Sequence, residues 1–193
     1  MNVTEFEAKV ALEQPSNFLH YRRVREMSRT EIVTLMGYLK MSARGKSCLD
    51  IGPGYGETLD YWHEQGAIDC DFIDREPWLF QYNALKPWAC GVKGNHLFKL
   101  SELPKRRYHI IYARGAFAAD DRFHSIFGRV GLHWWLHQVE KLAVRNANII
   151  MCPYNHAPRW MTDTLDELLY RKLPAIEGHN NDLYPYTWLK IVS

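Results

Sequence analysis

From residue 47 onward, short apolar runs alternate with amphipathic stretches. SCLDI (47–51), CDFID (70–74), HLFKL (96–100), YHIIYA (108–113) and NIIMC (148–152) have the length and the apolar content of buried strands. Between and after them, the polar and apolar spacing predicts helices over 57–65, 77–85, 124–144 and 160–172. Pro77 suits a first helical turn, where its missing N–H costs nothing. Upstream, Ile32, Leu35, Met36 and Leu39 recur at intervals of three and four, one face of a helix over 28–41, with Ser28 placed to cap it and Glu31 three positions on. Strands alternating with helices at this interval predict a mostly parallel sheet covered on both faces, a three-layer α/β/α sandwich of Rossmann-like form. Residues 1–45 read as a helical segment packed on this core, and 46–193 as the sheet domain, with no repeat, low-complexity stretch or linker. After 172 only LPAIEGHNNDLYPYTWLKIVS remains. It holds one credible strand, 187–192, and at most a very short second at 175–177, so the C-terminal strand pair is expected to be shortened.

Composition narrows the classes. The chain of 193 residues can bury a single core without staples. Its 24 basic and 22 acidic residues leave a net charge of +2, which gives no strong field toward nucleic acid or an anionic membrane. The four cysteines, Cys48, Cys70, Cys90 and Cys152, show no CxxC spacing for zinc or redox chemistry. The N-terminus lacks the basic-then-apolar layout of a secretory signal, and no apolar run approaches the roughly 18 residues of a membrane span. The expectation is a cytoplasmic protein with no membrane partner.

The candidate chemistry lies in SCLDIGPGYGETLDYW, where glycines at 52, 54 and 56 follow a strand that ends in Asp50. In an open α/β sheet, the loop after the first strand faces the ligand crevice. Glycines there permit tight turning and remove the Cβ atoms that would hold a flat ligand off the backbone. The dinucleotide pattern GxGxxG fails, because Glu57 stands where the third glycine belongs and its carboxylate would repel a pyrophosphate. The triphosphate loop GxxxxGK[ST] fails as well, because no lysine follows Gly56.

The arrangement Asp50-x-Gly52-x-Gly54-x-Gly56 between a strand and a helix resembles the first motif of class I S-adenosylmethionine-dependent methyltransferases. The resemblance implies that Asp50 holds the methionine amine and that Gly52, Pro53, Gly54 and Gly56 let adenosine and methionine lie along the backbone. Residues 46–193 then form a methyltransferase-like domain with S-adenosylmethionine as cofactor. By the same resemblance Asp74, at the end of CDFID and followed by Arg75, accepts the ribose hydroxyls. Ser101 and Glu102 in LSELP flank the adenine. Ala113 and Arg114, where YHIIYARGAF leaves its strand, line the methionine and the substrate. His109 replaces the acidic residue usual in that strand.

Methyl transfer is an in-line displacement, so the protein aligns the nucleophile and, where needed, takes its proton. Asp120, Asp121 and His124 follow the fourth strand, and Tyr154 and His156 follow the fifth. His124, Asp121, His156 and Tyr154 are therefore the candidate catalytic residues. The adenine and cytosine methyltransferase motif [DNS]PP[YFW] is absent, its position reading ARGAF. His133 and His137 are one helical turn apart but have no third ligand, so no metal is expected. The acceptor is expected to be a hydroxyl or amine of a small or sugar-like molecule. RNA is the alternative, through Tyr21-Arg-Arg23-Val-Arg25 and Lys105-Arg-Arg107, and a non-catalytic assembly protein that uses an exposed sheet edge to form a homodimer is the rival. Tyr21 and Arg22 are further candidates to close over the cofactor carboxylate.

Overall fold

The computed structural model describes residues 3–13, 15–115, 128–153, 158–182 and 184–193. In chain order the elements are α1 (Val3–Glu13), α2 (Pro15–Tyr38), β1 (Ser47–Ile51), α3 (Glu57–Glu64), β2 (Asp69–Asp74), α4 (Pro77–Ala84), β3 (Ala89–Lys93), α5 (His96–Lys99), β4 (Tyr108–Arg114), α6 (Gly128–Lys141), β5 (Ala143–Cys152), α7 (Arg159–Glu167), β6 (Arg171–Lys172) and β7 (Trp188–Ile191). They build a seven-stranded sheet in the order β3-β2-β1-β4-β5-β7-β6. The first five strands run parallel, while β7 is antiparallel to both β5 and β6.

Both faces of the central strands are apolar, which is why they read as continuous runs rather than alternating ones. On one face Leu49, Ile51, Ile111, Ala113 and Ile149 pack under Leu132, Trp135, Leu136 and Val139 of α6 and Met161 and Leu165 of α7. On the other, Cys48, Cys70, Phe72, Ile110, Tyr112 and Ile150 meet Ile32, Leu35 and Met36 of α2 and Leu59 and Trp62 of α3. Asp50 lies on this second face and is 1% exposed. Among the described residues, no helix is long and apolar enough to cross a membrane.

Three expectations are corrected. The stretch 96–100 is not the third strand. Gly94, at φ 147°, breaks the chain, and the Asn95 side chain accepts a hydrogen bond from the Leu97 N–H to start α5. The third strand is the half-exposed ACGVK of β3, where Gly91 lies so close to the Phe72 ring that a Cβ would collide with it. Ser28 caps nothing, because α2 begins at Pro15 and runs through it. The last predicted helix stops at Glu167, Leu169 turns left-handed at φ 63°, and the short partner of the final strand is 171–172 rather than 175–177.

Candidate functional site

Strand order reverses beside β1, whose neighbours β2 and β4 connect in opposite directions, and in open α/β sheets ligands bind at the carboxyl ends of the strands at such a point. The loop 52–56 leaves β1 at this point. Gly52, Gly54 and Gly56 have φ of 77°, 57° and 72°, a left-handed region that favours glycine. The Gly52 N–H donates to Ile73 O at 2.9 Å, tying the loop to the end of β2, and the Gly56 N–H donates to Pro53 O at 2.9 Å.

Two carboxyls face this loop. Burial, the dominant influence, pushes Asp50 up to about 8, opposed by a hydrogen bond from Thr58, while the nearby Asp74 raises it further. Asp50 Oδ2 is fully buried and has no hydrogen-bond partner among the described residues. A buried acceptor left in that state is costly, and an ammonium placed against it would return the group to carboxylate. Asp74 is raised to about 6, again chiefly by burial, although its carboxylate accepts from the Glu76 N–H at 2.9 Å and from the Gly54 backbone. Arg75 is exposed and its Nε lies 3.8 Å from Glu76.

Two residues that the sequence reading did not single out grip the loop from α4 and the turn that follows it. Asn83 donates from Nδ2 to Gly54 O at 2.7 Å and to Leu79 O at 3.1 Å. Lys86, 6% exposed, donates from Nζ to Gly56 O at 3.1 Å and to Asp60 at 2.8 Å. Burial lowers the Lys86 pKa, with Asp60 opposing. A Cβ on Gly56 would run into both side chains. A weak signal is present: Leu79, Tyr82, Asn83 and Lys86 fall at i, i+3, i+4 and i+7, so Asn83 shares the inward stripe of α4 and Lys86 continues it just past the helix end. Glu57 is 7% exposed and ion-paired with Arg25 of α2, so its charge is compensated rather than aimed at a ligand.

At the exit of β4, Ala113 is fully buried, paired between Ile51 and Met151. Arg114 turns toward α2 and the C-terminal loop. It is ion-paired with Glu31, donates to Ser28 Oγ at 3.3 Å, and stacks 4.1 Å from the centre of the Tyr184 ring. His179 bridges the same region: Nδ1 donates to Glu31 O at 3.1 Å, and Nε2 meets Thr187 Oγ1 at 3.0 Å and Cys152 Sγ at 3.7 Å. Burial holds His179 down at about 4, so it is neutral. Ser101 and Glu102 are exposed beyond α5, with Glu102 paired to Lys99; the segment directly after the third strand is Gly94 to His96. Asp121, His124, Tyr154 and His156, like Asp120, fall outside the described residues, as do the side chains of Tyr21 and Arg22. His133 lies 3.7 Å from Glu167, on the outer face of α6.

One residue of each basic cluster is paired internally. Arg106 pairs with Asp69 and, at 3.1 Å, with the buried Asp71, while Arg25 pairs with Glu57 and, at 3.0 Å, with Glu7.

Neither a family model nor a curated protein matches the chain by sequence. Solved structures do match it in shape. A TehB-like S-adenosylmethionine-dependent methyltransferase from Corynebacterium glutamicum superposes with a TM-score of 0.62 at 16% identity, covering 90% of this chain and 95% of that one. The magnesium protoporphyrin IX methyltransferase of Synechocystis, solved with S-adenosylmethionine bound, gives 0.59 at 14%, covering 89% and 81%. The bifunctional kinase-methyltransferase WbdD gives 0.58 at 13%, with 88% of this chain matched to 39% of that one. With its reversed strand order and with a glycine loop and acidic residues at the ends of adjacent strands, the chain has the Rossmann-like fold of the class I S-adenosylmethionine-dependent methyltransferases.

Proposed function

We propose that the protein is an S-adenosylmethionine-dependent methyltransferase acting on a hydroxyl or amine of a small or sugar-like acceptor. The observation that carries this reading is the buried Oδ2 of Asp50, which has no hydrogen-bond partner among the described residues, on the strand that leads into a loop of three left-handed glycines. A carboxyl in that condition fits an ammonium group, and the bare loop fits a ligand that lies along it without phosphate. In this reading Asp50 takes the methionine amine, Gly52, Pro53, Gly54 and Gly56 supply the backbone bed, and Asp74 with Arg75 takes the ribose. The adenine-flanking role assigned to Ser101 and Glu102 passes to the segment 94–96. Ala113 and Arg114 bound the methionine side, with Arg114 acting as a wall held by Glu31.

S-adenosylmethionine, when bound, supplies an electrophilic methyl group on a sulfonium. The chain's own part is to fix the acceptor in line and exclude water, and to take a proton where the acceptor carries one. His124, Asp121, His156 and Tyr154 remain the candidates for that last step. A small acceptor is favoured over RNA because Arg25 and Arg106, one residue from each basic cluster, are already paired with buried or half-buried carboxylates and are not free for phosphate. The porphyrin acceptor named for the Synechocystis neighbour is also a small molecule. Isothermal titration with S-adenosylmethionine and S-adenosylhomocysteine tests the reading, and the absence of binding to either sinks it. Binding without labelled methyl transfer to any component of a metabolite extract would instead favour the non-catalytic rival.

A further inference from the structure

The glycine loop is held from a second direction. Tyr55, between Gly54 and Gly56, is 7% exposed, and its neighbours are Phe6 and Val10 of α1 together with Leu79 and Tyr82 of α4. Its ring meets Tyr82 edge-on at 5.2 Å and Trp78 at 5.4 Å, and Phe6 meets Tyr82 at 6.1 Å. Polar contacts follow the same path. Arg25 joins Glu7 of α1 to Glu57 in the first turn of α3, and the Tyr82 hydroxyl donates to Glu7 at 3.3 Å.

Nothing in the sheet requires the side chain of a ligand-loop residue to be covered by an N-terminal helix. Here its cover is an 11-residue helix. A helix shorter than about 12–15 residues is marginal in water, so α1 owes its order to docking through Phe6, Val10 and Glu7. Loop shape and helix docking therefore share one set of contacts.

We infer that Tyr55 is a positioning residue that couples the docking of α1 to the conformation of the ligand loop, making the N-terminal helix part of the binding site without touching the ligand. Coupling of this kind is reciprocal: whatever α1 adds to ligand affinity, the ligand returns to α1. The coupling itself is a property of the free protein; only its effect on affinity rests on the proposed cofactor.

Hydrogen exchange on the full chain tests it. In ligand-free Phe6→Ala, the amides of Gly52, Gly56 and Asp60, all hydrogen-bonded in or beside the loop, should exchange about tenfold faster, while those of Ile110 to Ala113 in β4 keep their wild-type rates. Phe6→Leu should restore most of the protection. Glu7→Gln, milder and safe for folding, should move the same amides in the same direction. In a second arm, Phe6→Ala should raise the dissociation constant for S-adenosylhomocysteine about five- to tenfold, and the ligand should slow exchange within α1 of the wild type. Loop amides at wild-type rates in both Phe6→Ala and Glu7→Gln would overturn the coupling. A wild-type chain that binds no S-adenosylhomocysteine would defeat the cofactor reading and leave the first arm standing.

Discussion

Asp50→Asn preserves the shape of the side chain and removes its titration. Burial lifts the wild-type carboxyl to about 8 in the folded protein, against about 3.9 in an unfolded chain. The folded state thus holds this proton more tightly. The stability it contributes is whole below about pH 4, declines as pH rises, and is gone above about pH 8. The variant has no such decline, so its advantage over wild type should grow across that window. An unpaired buried polar group costs about 1–3 kcal/mol, and more when charged. For a domain of this size each kcal/mol moves Tm by about 2–4 °C. Asp50→Asn should therefore melt roughly 2–12 °C above wild type at about pH 8.5, and close to it at about pH 4. Ligand binding should move the other way. A hydrogen bond to a charged group is worth about 1.5–3 kcal/mol, so the variant should bind S-adenosylhomocysteine roughly 10- to 150-fold more weakly. Because wild-type Asp50 must release its proton to receive an ammonium, wild-type affinity should climb about tenfold per pH unit up to about pH 8. Thermal melts and titrations over that range check both halves. A variant that melts with the wild type at both ends and binds with the same pH slope would refute the electrostatic account of the cleft.

Gly56→Ala and Gly54→Ala separate collision from backbone strain: both positions are left-handed, but only at Gly56 would the new Cβ meet Asn83 and Lys86. Urea unfolding should show a loss of about 1–2 kcal/mol for Gly54→Ala and a larger one, with weaker ligand binding, for Gly56→Ala. Arg106→Met leaves the Asp71 carboxylate, 1% exposed, with the Tyr108 hydroxyl at 2.6 Å as its remaining support. Since Arg106 is itself about a third exposed, the expected loss is about 1–3 kcal/mol by chemical denaturation rather than the full cost of a buried broken pair. His179, held down at about 4 by burial, contributes stability that is present above about pH 6.5 and is lost as pH falls through about 4. His179→Gln should flatten that acid limb by up to roughly 3 kcal/mol, and parallel limbs in wild type and variant would contradict the assignment.

What could be read from the sequence follows where the burial was. β1, β2 and β4 are apolar on both faces, so their runs were unmistakable, and the glycines after β1 announced the crevice. β3 was missed because it is a half-exposed edge strand whose central residue is a glycine under Phe72, whereas HLFKL has the apolar spacing of a strand but is capped into a helical turn by Asn95. Asp50 and Asp74 were legible as polar residues interrupting buried strands. Asn83 and Lys86 left a weaker trace, sharing the spacing of Leu79 and Tyr82, but a polar residue near a helix end usually faces water, and it is the tertiary contact with the glycine loop that gives these two their role. Arg114 was legible as a residue of the β4 exit, but its partner Glu31 lies on a helix far away in sequence, and such a pairing leaves no local trace.

The closing strand pair has a consequence for how copies of the protein meet. β6 is two residues long, and both Arg171 and Lys172 are exposed. Lys172 Nζ lies 3.4 Å from the centre of the Tyr186 ring, which draws the end of the ladder under a cation. A second copy approaching this edge in two-fold fashion would find at most two rungs to share and would set four positive charges against one another. The β6 end of the sheet is therefore a poor template for edge-to-edge pairing between copies.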